Sequence, residues 1–212
     1  NAPAMACIQF VDGDCELRPQ WLSTATAFLQ ANAHVAAVCG RRRERYPERS
    51  VYNLLCDLEW DVPSGPARSC GGDAMFRLAA LVEAGGYNPT LIAGEEPELC
   101  VRLRQRGWCV QVLAVEMTLH DANMIHFHQW WIRNVRTGHA YAEGVALHGG
   151  PPERHYVREL LRCVGWGLAL PAVTTVGLAT AGPEAAWLLA LYPAQALRFV
   201  LRGRGDLRTR VL

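Results

Sequence analysis

The chain has 212 residues, half of them hydrophobic and 19% charged, a length that predicts one domain of good size or a domain with an appendage. Its formal net charge of +1 gives no electrostatic basis for binding nucleic acid, so we exclude that class of partner. The eight cysteines form no Cys-x-x-Cys pair, which argues against a zinc knuckle and indicates small core residues in a reducing compartment.

The first predicted element is a short buried strand that runs from Ile8 into Asp12-Gly13-Asp14. Gly13 allows a sharp turn, after which Asp12 and Asp14 can converge on one point. Two carboxylates at a strand end suit Mg²⁺ or Mn²⁺, which prefer oxygen ligands and share them with phosphate. The alternative is a polar turn in which Asp serves only its turn chemistry.

The rest of the first two thirds predicts alternating helices and strands, and therefore an α/β fold. A Ser50 N-cap supports one of these helices, and Pro97 at the N1 position with Gly107 at the end bounds another. The predicted helices cover residues 19–33, 50–60, 78–84, 97–106 and 127–143, and the predicted strands cover residues 34–39 and 110–115, the latter leading out through residues 116–121.

Three polar segments between these elements are candidates for binding. The basic run at residues 41–45 predicts either a solvated loop or a site for phosphate or an anionic surface. Gly71-Gly72 allows a close approach of backbone to a ligand just before Asp73. Glu95 and Glu96 begin a helix, where the dipole favours negative charge, so they are either a capping pair or functional carboxylates.

The helix at residues 127–143 is rich in Trp, Arg and His. This composition fits a membrane-surface helix or the wall of a sugar site. The same apolar spacing also fits a core-packing helix with a solvated Arg face.

The last third changes character. Residues 163–182 are uncharged and long enough to span a membrane, and a second apolar run covers residues 185–197. Arginines flank both outer ends, so the positive-inside rule predicts a helical hairpin with both ends cytoplasmic. The alternative is a pair of buried helices in a soluble domain.

Three segments stand in an order that resembles the second half of a family 2 glycosyltransferase domain of the GT-A type. They are the strand ending in Asp12-Gly13-Asp14, the Gly-Gly-x-x-x-Phe-Arg segment from Gly71 to Arg77, and Glu95-Glu96-Pro97-Glu98 with its Arg-Leu-Arg-x-x-Gly-Trp tail. The resemblance covers residues 5–145. It implies an inverting enzyme with a nucleotide-diphospho-sugar donor and a saccharide or lipid-linked acceptor.

The resemblance implies a metal site. Asp12 and Asp14 would hold Mn²⁺ or Mg²⁺, which bridges the donor diphosphate and offsets charge on the departing nucleotide. His120 corresponds to a third metal ligand or a diphosphate contact, a part that Asp121 could also play. Imidazole suits Mn²⁺ better than Mg²⁺.

The resemblance also implies a catalytic base and a sugar pocket. Glu96 matches the base that takes the proton of the acceptor hydroxyl. The family usually has Asp at this position, so Glu95 stays an alternative. Gly72 and Asp73 would line the donor-sugar or acceptor pocket, and Arg77 ends the same segment as a further substrate contact.

Processive members of the family carry Gln-x-x-Arg-Trp on an interfacial helix. This chain has Gln129-Trp130-Trp131-Ile132-Arg133, the same residue types in another order. We therefore expect Gln129, Trp130 and Arg133 to contact substrate, while processivity stays open.

The expected organisation is a partial, Rossmann-like GT-A domain (residues 1–145), a linker or amphipathic segment (146–162), a transmembrane hairpin (163–202) and a basic tail (203–212). Family members begin with a nucleotide-binding half that has no counterpart here, so we expect an N-terminal portion to be missing. The expected location is the inner membrane, with the catalytic part cytoplasmic.

Two other functions compete with this one. The first is a non-catalytic membrane partner subunit on a truncated transferase fold, which the expected absence of the N-terminal half and the Glu at position 96 favour. The second is a phosphotransferase or nuclease that uses two metals, which is disfavoured because no further acidic cluster has suitable spacing.

Overall fold

The computed structural model describes residues 6–202. The chain divides into two compact units, residues 1–155 and residues 156–212. The first unit combines a curled sheet with flanking helices, which confirms the predicted α/β class.

The first unit contains six strands and five α-helices among the described residues. The strands are β1 (Cys7–Phe10), β2 (Cys15–Leu17), β3 (Val35–Glu44), β4 (Gly65–Ala67), β5 (Ala74–Arg77) and β6 (Cys109–His120). The helices are α1 (Trp21–Ala31), α2 (Val51–Glu59), α3 (Leu78–Glu83), α4 (Glu95–Gln105) and α5 (Phe127–His148), with a 3-10 turn at Pro47–Arg49.

The sheet has the order β1-β5-β3-β6-β2, and β4 also pairs with β6. β5 runs antiparallel to both β1 and β3, whereas β3 and β6 are parallel. The ends of β1, β3 and β6 therefore meet the beginning of β5 at one end of the sheet. Because β1 and β2 lie at opposite edges of the order, residues 11–14 must cross this end of the sheet.

The core forms where α1 and α4 bury their apolar faces. Trp21, Ala25 and Leu29 recur every four residues on α1 and are at most 1% exposed, which is the helical spacing of one face. Leu99 and Leu103 repeat this pattern on α4 and are fully buried. Each such large side chain contributes on the order of 1.5–3 kcal/mol, so these helices are held firmly on the sheet.

Of the two interpretations of the basic run, the solvated loop is wrong, because β3 continues to Glu44. Its arginines are stable in a strand since carboxylates lie beside them. Arg41 Nη2 is 3.3 Å from Asp57 Oδ2, and Arg43 Nε is 3.2 Å from Asp57 Oδ1. Backbone pairing of β3 with β6 then outweighs the high charge of the segment.

Three smaller boundaries also differ from expectation. β6 is one strand of 12 residues rather than a short strand with an exit segment. Strand β4, which pairs with β6, is an element that the sequence did not predict. Helix α4 begins at Glu95, so Pro97 is its third residue rather than its first. The Ser50 cap is confirmed, since its side chain accepts from the Asn53 N–H.

The second unit contains α6 (Val157–Val164), a π-helical segment (Gly165–Ala169) and α7 (Leu170–Thr180), which run on as one helix, Val157–Thr180. This 24-residue helix is long and apolar enough to cross a membrane, and almost none of its most apolar stretch is buried in the protein. A 3-10 helix (Pro183–Ala190) and α8 (Leu191–Arg202) follow. Within residues 6–202, one helix therefore has the length and composition of a membrane span, whereas the predicted hairpin required two. The basic tail lies outside the described residues.

Candidate active site at the end of the sheet

Asp73, directly before β5, is the centre of a polar cluster at this end of the sheet. Its carboxylate is fully buried. Oδ1 accepts from the Asp12 N–H at 2.9 Å, and Oδ2 accepts from Thr118 Oγ1 at 2.7 Å. Arg42 Nε lies 3.1 Å from Oδ2. A buried carboxylate is tolerated only when hydrogen bonds and an opposite charge replace its water, and these three groups do so.

Asp12 shares the Arg42 guanidinium with Asp73, since Arg42 Nη2 lies 3.4 Å from Asp12 Oδ2. Burial raises the pKa of Asp12, although Arg42 opposes the rise. Gly72 permits this approach, because a Cβ at that position would lie 2.7 Å from Asp12 Oδ2 and 3.1 Å from Arg42 Nη2. The predicted close approach at Gly72 is therefore made by Asp12.

Asp14 and His120 form a second pair beside this cluster. The Asp14 Oδ2 atom lies 3.0 Å from His120 Nε2. The Trp60 ring stacks on the imidazole with 4.7 Å between ring centroids. Within the described residues, the buried Nδ1 atom of His120 has no hydrogen-bond partner. Residues at the ends of α2, β1 and β6 thus orient one imidazole toward one carboxylate.

The donor set at this end of the sheet fits a divalent cation. Ligand atoms of Asp14, Cys15 and His120 lie within 4.8 Å of one another, as do those of Asp12, Cys15 and Asp73. Burial strongly raises the pKa of the Cys15 thiol, which keeps it protonated and a poor ligand. The carboxylate and imidazole pair suits Mn²⁺. Asp12 and Asp14 fall in different groups, so a single cation would require one of the two side chains to move.

Glu95 and Glu96 form the first turn of α4, after Gly94 at φ 85°. Burial raises the pKa of Glu96, and the negative charges of Glu95 and Asp12 raise it further, while a backbone hydrogen bond and Arg42 oppose the rise. The charges of Asp12 and Arg42 both act on the Glu96 carboxylate, so it lies within electrostatic range of the polar cluster. A carboxylate with a raised pKa is a stronger proton acceptor.

Asp121 lies just past the end of β6. Its Oδ2 is 3.8 Å from Arg49 Nη1, and its side chain belongs to neither of the groups that could hold a metal among the described residues. His120 is therefore better placed than Asp121 as a ligand.

Arg77 lies at the opposite end of β5 from Asp73. Its guanidinium donates to the backbone carbonyls of Leu29 at 2.7 Å, Asn32 at 3.1 Å and Val35 at 3.2 Å. These bonds fasten β5 to the end of α1. Arg77 therefore lies away from the cluster, where its hydrogen bonds stabilise the fold instead of contacting substrate.

The three residues predicted as substrate contacts on α5 are engaged within the protein. Gln129 Oε1 accepts from the N–H groups of Ile125 and His126, and so caps the helix. Arg133 donates to both carboxylate oxygens of Glu59, at 2.8 and 3.0 Å. The Trp130 ring lies 6.2 Å from that of Tyr52. The structure does not bring these three residues to Asp12 or Asp14.

Sequence reasoning missed three residues of the site. In the sequence Arg42 was only one member of a basic run. Because side chains alternate along a strand, a strand through this run would place Arg42 on the face opposite to Arg41 and Arg43. Thr118 and Trp60 carried no local signal, because strand pairing and a helix end bring them to the cluster. Trp60, Arg42 and Asp73 also line a cavity of about 230 Å³.

No family model matches the chain, and no curated protein matches it. Solved structures do. A mannosyltransferase from Pyrobaculum calidifontis, in complex with GDP-Man and Mn²⁺, aligns with a TM-score of 0.58 and 22% identity over 90% of this chain and 55% of that chain. S. aureus TarS aligns with a TM-score of 0.42, 12% identity and 87% and 62% coverage. GalNAc-T7 with UDP, GalNAc and Mn²⁺ aligns with a TM-score of 0.37, 13% identity and 68% and 35% coverage.

The chain therefore has the fold of GT-A-like glycosyltransferases. It spans about half the length of the mannosyltransferase. The likeness at this identity shows the fold, and the chemistry must be argued from the residues of the site.

Proposed function

We propose that the chain is the metal-binding and acceptor-side portion of an inverting, family 2-type glycosyltransferase. The reaction would move a sugar from a nucleotide-diphospho-sugar to a hydroxyl of a saccharide or lipid-linked acceptor. The observation that supports it most is that the ligand groups Asp14–Cys15–His120 and Asp12–Cys15–Asp73 share one end of the sheet, within electrostatic range of Glu96.

Asp14 and His120, joined by Asp12, would hold Mn²⁺ or Mg²⁺. When bound, the cation supplies Lewis-acid stabilisation of the diphosphate leaving group. Arg42 adds a fixed positive charge beside Asp12. Trp60 limits the freedom of the imidazole by stacking on it.

Glu96 would act as the base. Its carboxylate takes the proton of the acceptor hydroxyl as that oxygen bonds to the anomeric carbon. The bond from the anomeric carbon to the diphosphate oxygen breaks with its electron pair, so attack from the opposite face inverts the configuration. Glu95, one residue earlier in the same turn, is the alternative base.

Membrane association completes the proposal. The helix Val157–Thr180 has the length and composition of a span. Arginines flank the apolar segment, so the positive-inside rule leads us to place the catalytic unit at the cytoplasmic face of the inner membrane.

Two pairs of variants test the proposal, with Mn²⁺ binding measured on the 212-residue chain and sugar transfer measured on the full gene product that contains it. We expect Asp14→Asn to weaken Mn²⁺ binding, measured by electron paramagnetic resonance of the free ion, at least tenfold, while the neighbouring Asp121→Asn leaves it nearly unchanged. We expect Glu96→Gln to abolish sugar transfer from GDP- or UDP-sugars while Mn²⁺ binding is kept, and Glu95→Gln to retain transfer. Equal Mn²⁺ affinity in Asp14→Asn and the native chain would refute the metal site, and transfer by Glu96→Gln would refute the base.

A further inference from the structure

Three buried cysteines meet beside the candidate active site. Cys39 lies on β3, Cys70 lies in the segment before β5, and Cys100 lies on α4; their side chains are 4%, 4% and 0% exposed. The Cys70 thiol is in hydrogen-bonding contact with the thiols of both Cys39 and Cys100. Three segments that are distant in the sequence therefore bring their thiols together, with Cys70 in the middle.

Cys70 and Cys100 are joined by two hydrogen bonds. The Cys100 sulfur accepts from both the thiol and the backbone N–H of Cys70. The hydrogen bond from the Cys70 thiol lowers the pKa of Cys100, and the charge of Arg104 acts in the same direction, while burial opposes the change. A thiol of lowered pKa carries more of the nucleophilic thiolate. Cys100 is therefore the member of the pair that is prepared to attack its neighbour.

A small oxidant can reach this pair through Cys70. The cavity of about 230 Å³ that Arg42 and Asp73 line is also lined by Cys70. Val62 lines the same cavity and is 48% exposed, so the cavity meets solvent there. A water molecule occupies about 30 Å³ of liquid, and hydrogen peroxide is only slightly larger. Peroxide therefore fits this cavity and meets Cys70 before it meets the fully buried Cys100.

We propose that Cys70 and Cys100 form a reversible disulfide when hydrogen peroxide enters the cavity. Cys70 Sγ bonds to one peroxide oxygen, the O–O bond breaks, and the departing hydroxide takes the thiol proton and leaves as water. Cys100 Sγ then attacks the sulfur of the sulfenic acid on Cys70. The S–O bond breaks, and the second hydroxide leaves as water with the Cys100 proton. The two sulfurs together lose two electrons, and the peroxide gains them.

The disulfide would join two parts of the candidate active site. Cys70 lies two residues before Gly72, and Cys100 lies one helical turn after Glu96. A Cβ on Gly72 would lie 2.7 Å from Asp12 Oδ2, so a small shift of this segment would displace the Asp12 carboxylate. We therefore expect the oxidised chain to bind Mn²⁺ severalfold more weakly. This effect rests on the proposed metal site, whereas the disulfide does not.

A disulfide of this kind fits a reducing compartment. There the cellular thiol pool returns structural cysteines to the thiol form, and the disulfides that do form are transient and serve redox sensing. Thiol–disulfide exchange would reopen the bond between Cys70 and Cys100 once peroxide is removed.

The test is peptide mapping of the full chain without reduction. The reduced chain is treated with hydrogen peroxide, and the remaining thiols are alkylated in urea. Trypsin then yields residues 69–77 and 78–102, which contain Cys70 and Cys100 as their sole cysteines. We expect these peptides to become joined about tenfold or more faster in the folded chain than in the chain unfolded in urea, because the fold holds the two sulfurs in contact. Dithiothreitol should separate them.

Two results on the native chain would overturn the proposal. In the first, both peptides remain alkylated after peroxide treatment of the folded chain. In the second, residues 69–77 are joined to the peptide that contains Cys39. Neither measurement requires a variant, so a failure of a variant to fold does not affect them.

Three variants test the order of the steps. Cys109→Ser is the matched control, because Cys109 is exposed and lies outside the buried group, and it should leave the linkage rate unchanged. Cys100→Ala should leave a sulfenic acid on Cys70, which dimedone traps. Cys70→Ala should protect Cys100, and oxidation of Cys100 at the native rate in this variant would contradict the assigned roles.

Mn²⁺ binding separates this inference from the proposed function. If the peptides join and the oxidised chain binds Mn²⁺ as tightly as the reduced chain, the disulfide stands and its effect on the metal site is refuted. If the peptides join and Asp14→Asn binds Mn²⁺ as tightly as the native chain, the metal site of the proposed function fails alone.

Discussion

Replacing Asp73 with Asn tests the centre of the site without changing its shape. The Asp73 carboxylate faces donors on both sides: Oδ1 accepts from the Asp12 N–H, while Oδ2 accepts from Thr118 and lies 3.1 Å from Arg42 Nε. An amide has one acceptor oxygen. In either orientation its NH₂ group therefore faces a donor, and Arg42 loses the negative charge of Asp73.

The cost follows from these contacts. A hydrogen bond to a charged group is worth about 1.5–3 kcal/mol, and breaking a buried ion pair costs about 3–5 kcal/mol. Because Arg42 keeps Asp12 at 3.4 Å, we expect Asp73→Asn to lower the free energy of unfolding by about 2–4 kcal/mol. Thr118→Val removes one neutral donor and should cost only about 0.5–1.5 kcal/mol.

The assay is thermal unfolding of both variants beside the native chain, followed by near-UV circular dichroism. For a protein of this size about 1 kcal/mol moves Tm by 2–4 °C, so Asp73→Asn should lower Tm by about 4–16 °C. Mn²⁺ affinity should fall as well, since Asp73 fixes the backbone of Asp12. If Asp73→Asn melts at the same temperature as Thr118→Val, the contact between Asp73 and Arg42 does not stabilise the cluster.

Three further changes test the surroundings of this centre. Gly72→Ala should displace the Asp12 carboxylate, which lies 2.7 Å from the new methyl, and weaken Mn²⁺ binding severalfold, whereas Gly13→Ala, with open space around its Cβ, should have a smaller effect. Trp60→Leu should free the His120 ring and weaken Mn²⁺ binding, and Trp60→Phe should restore most of it; equal affinities in both variants would contradict the stacking role. Burial raises the pKa of Glu96, so folding disfavours its charged form, and stability falls as pH rises from the ordinary Glu range through this raised pKa. Glu96→Gln should therefore be as stable as the native chain or more stable at pH 7, which calorimetry would show.

The fold could be predicted from the sequence because its helices carry regular apolar faces. Trp21, Ala25 and Leu29 on α1, and Leu99 and Leu103 on α4, follow a helical period and are buried as the pattern indicates. The run of arginines misled the prediction because local charge normally disfavours a strand. In the structure Asp57 on α2 balances that charge, and this partner is distant in sequence.

The carboxylates of the candidate site could be proposed from the sequence, but the contacts that join them to other residues could not. Asp12 and Asp14 follow a strand and Glu96 opens a helix, positions that local patterns reveal. Arg42 and Thr118 join them only through the pairing of β3 with β6, in which Arg42 lies beside Thr118. Such pairing depends on strand order, which a single sequence does not encode locally.

The charge balance of the cluster bears on the proposed binding of metal and donor. Asp12, Asp14 and Asp73 bring three carboxyl groups to this end of the sheet, the charge of Asp12 also acts on Glu96, and Arg42 lies beside Asp12 and Asp73. The raised pKa values of Asp12 and Glu96 show that burial and neighbouring carboxylates disfavour their ionised forms, although Arg42 opposes this. A diphosphate could not approach such a site without added positive charge. A divalent ion between Asp14 and His120 would supply that charge. The proposed metal and donor would therefore bind cooperatively, because the ion offsets the repulsion between the carboxyl groups and the diphosphate.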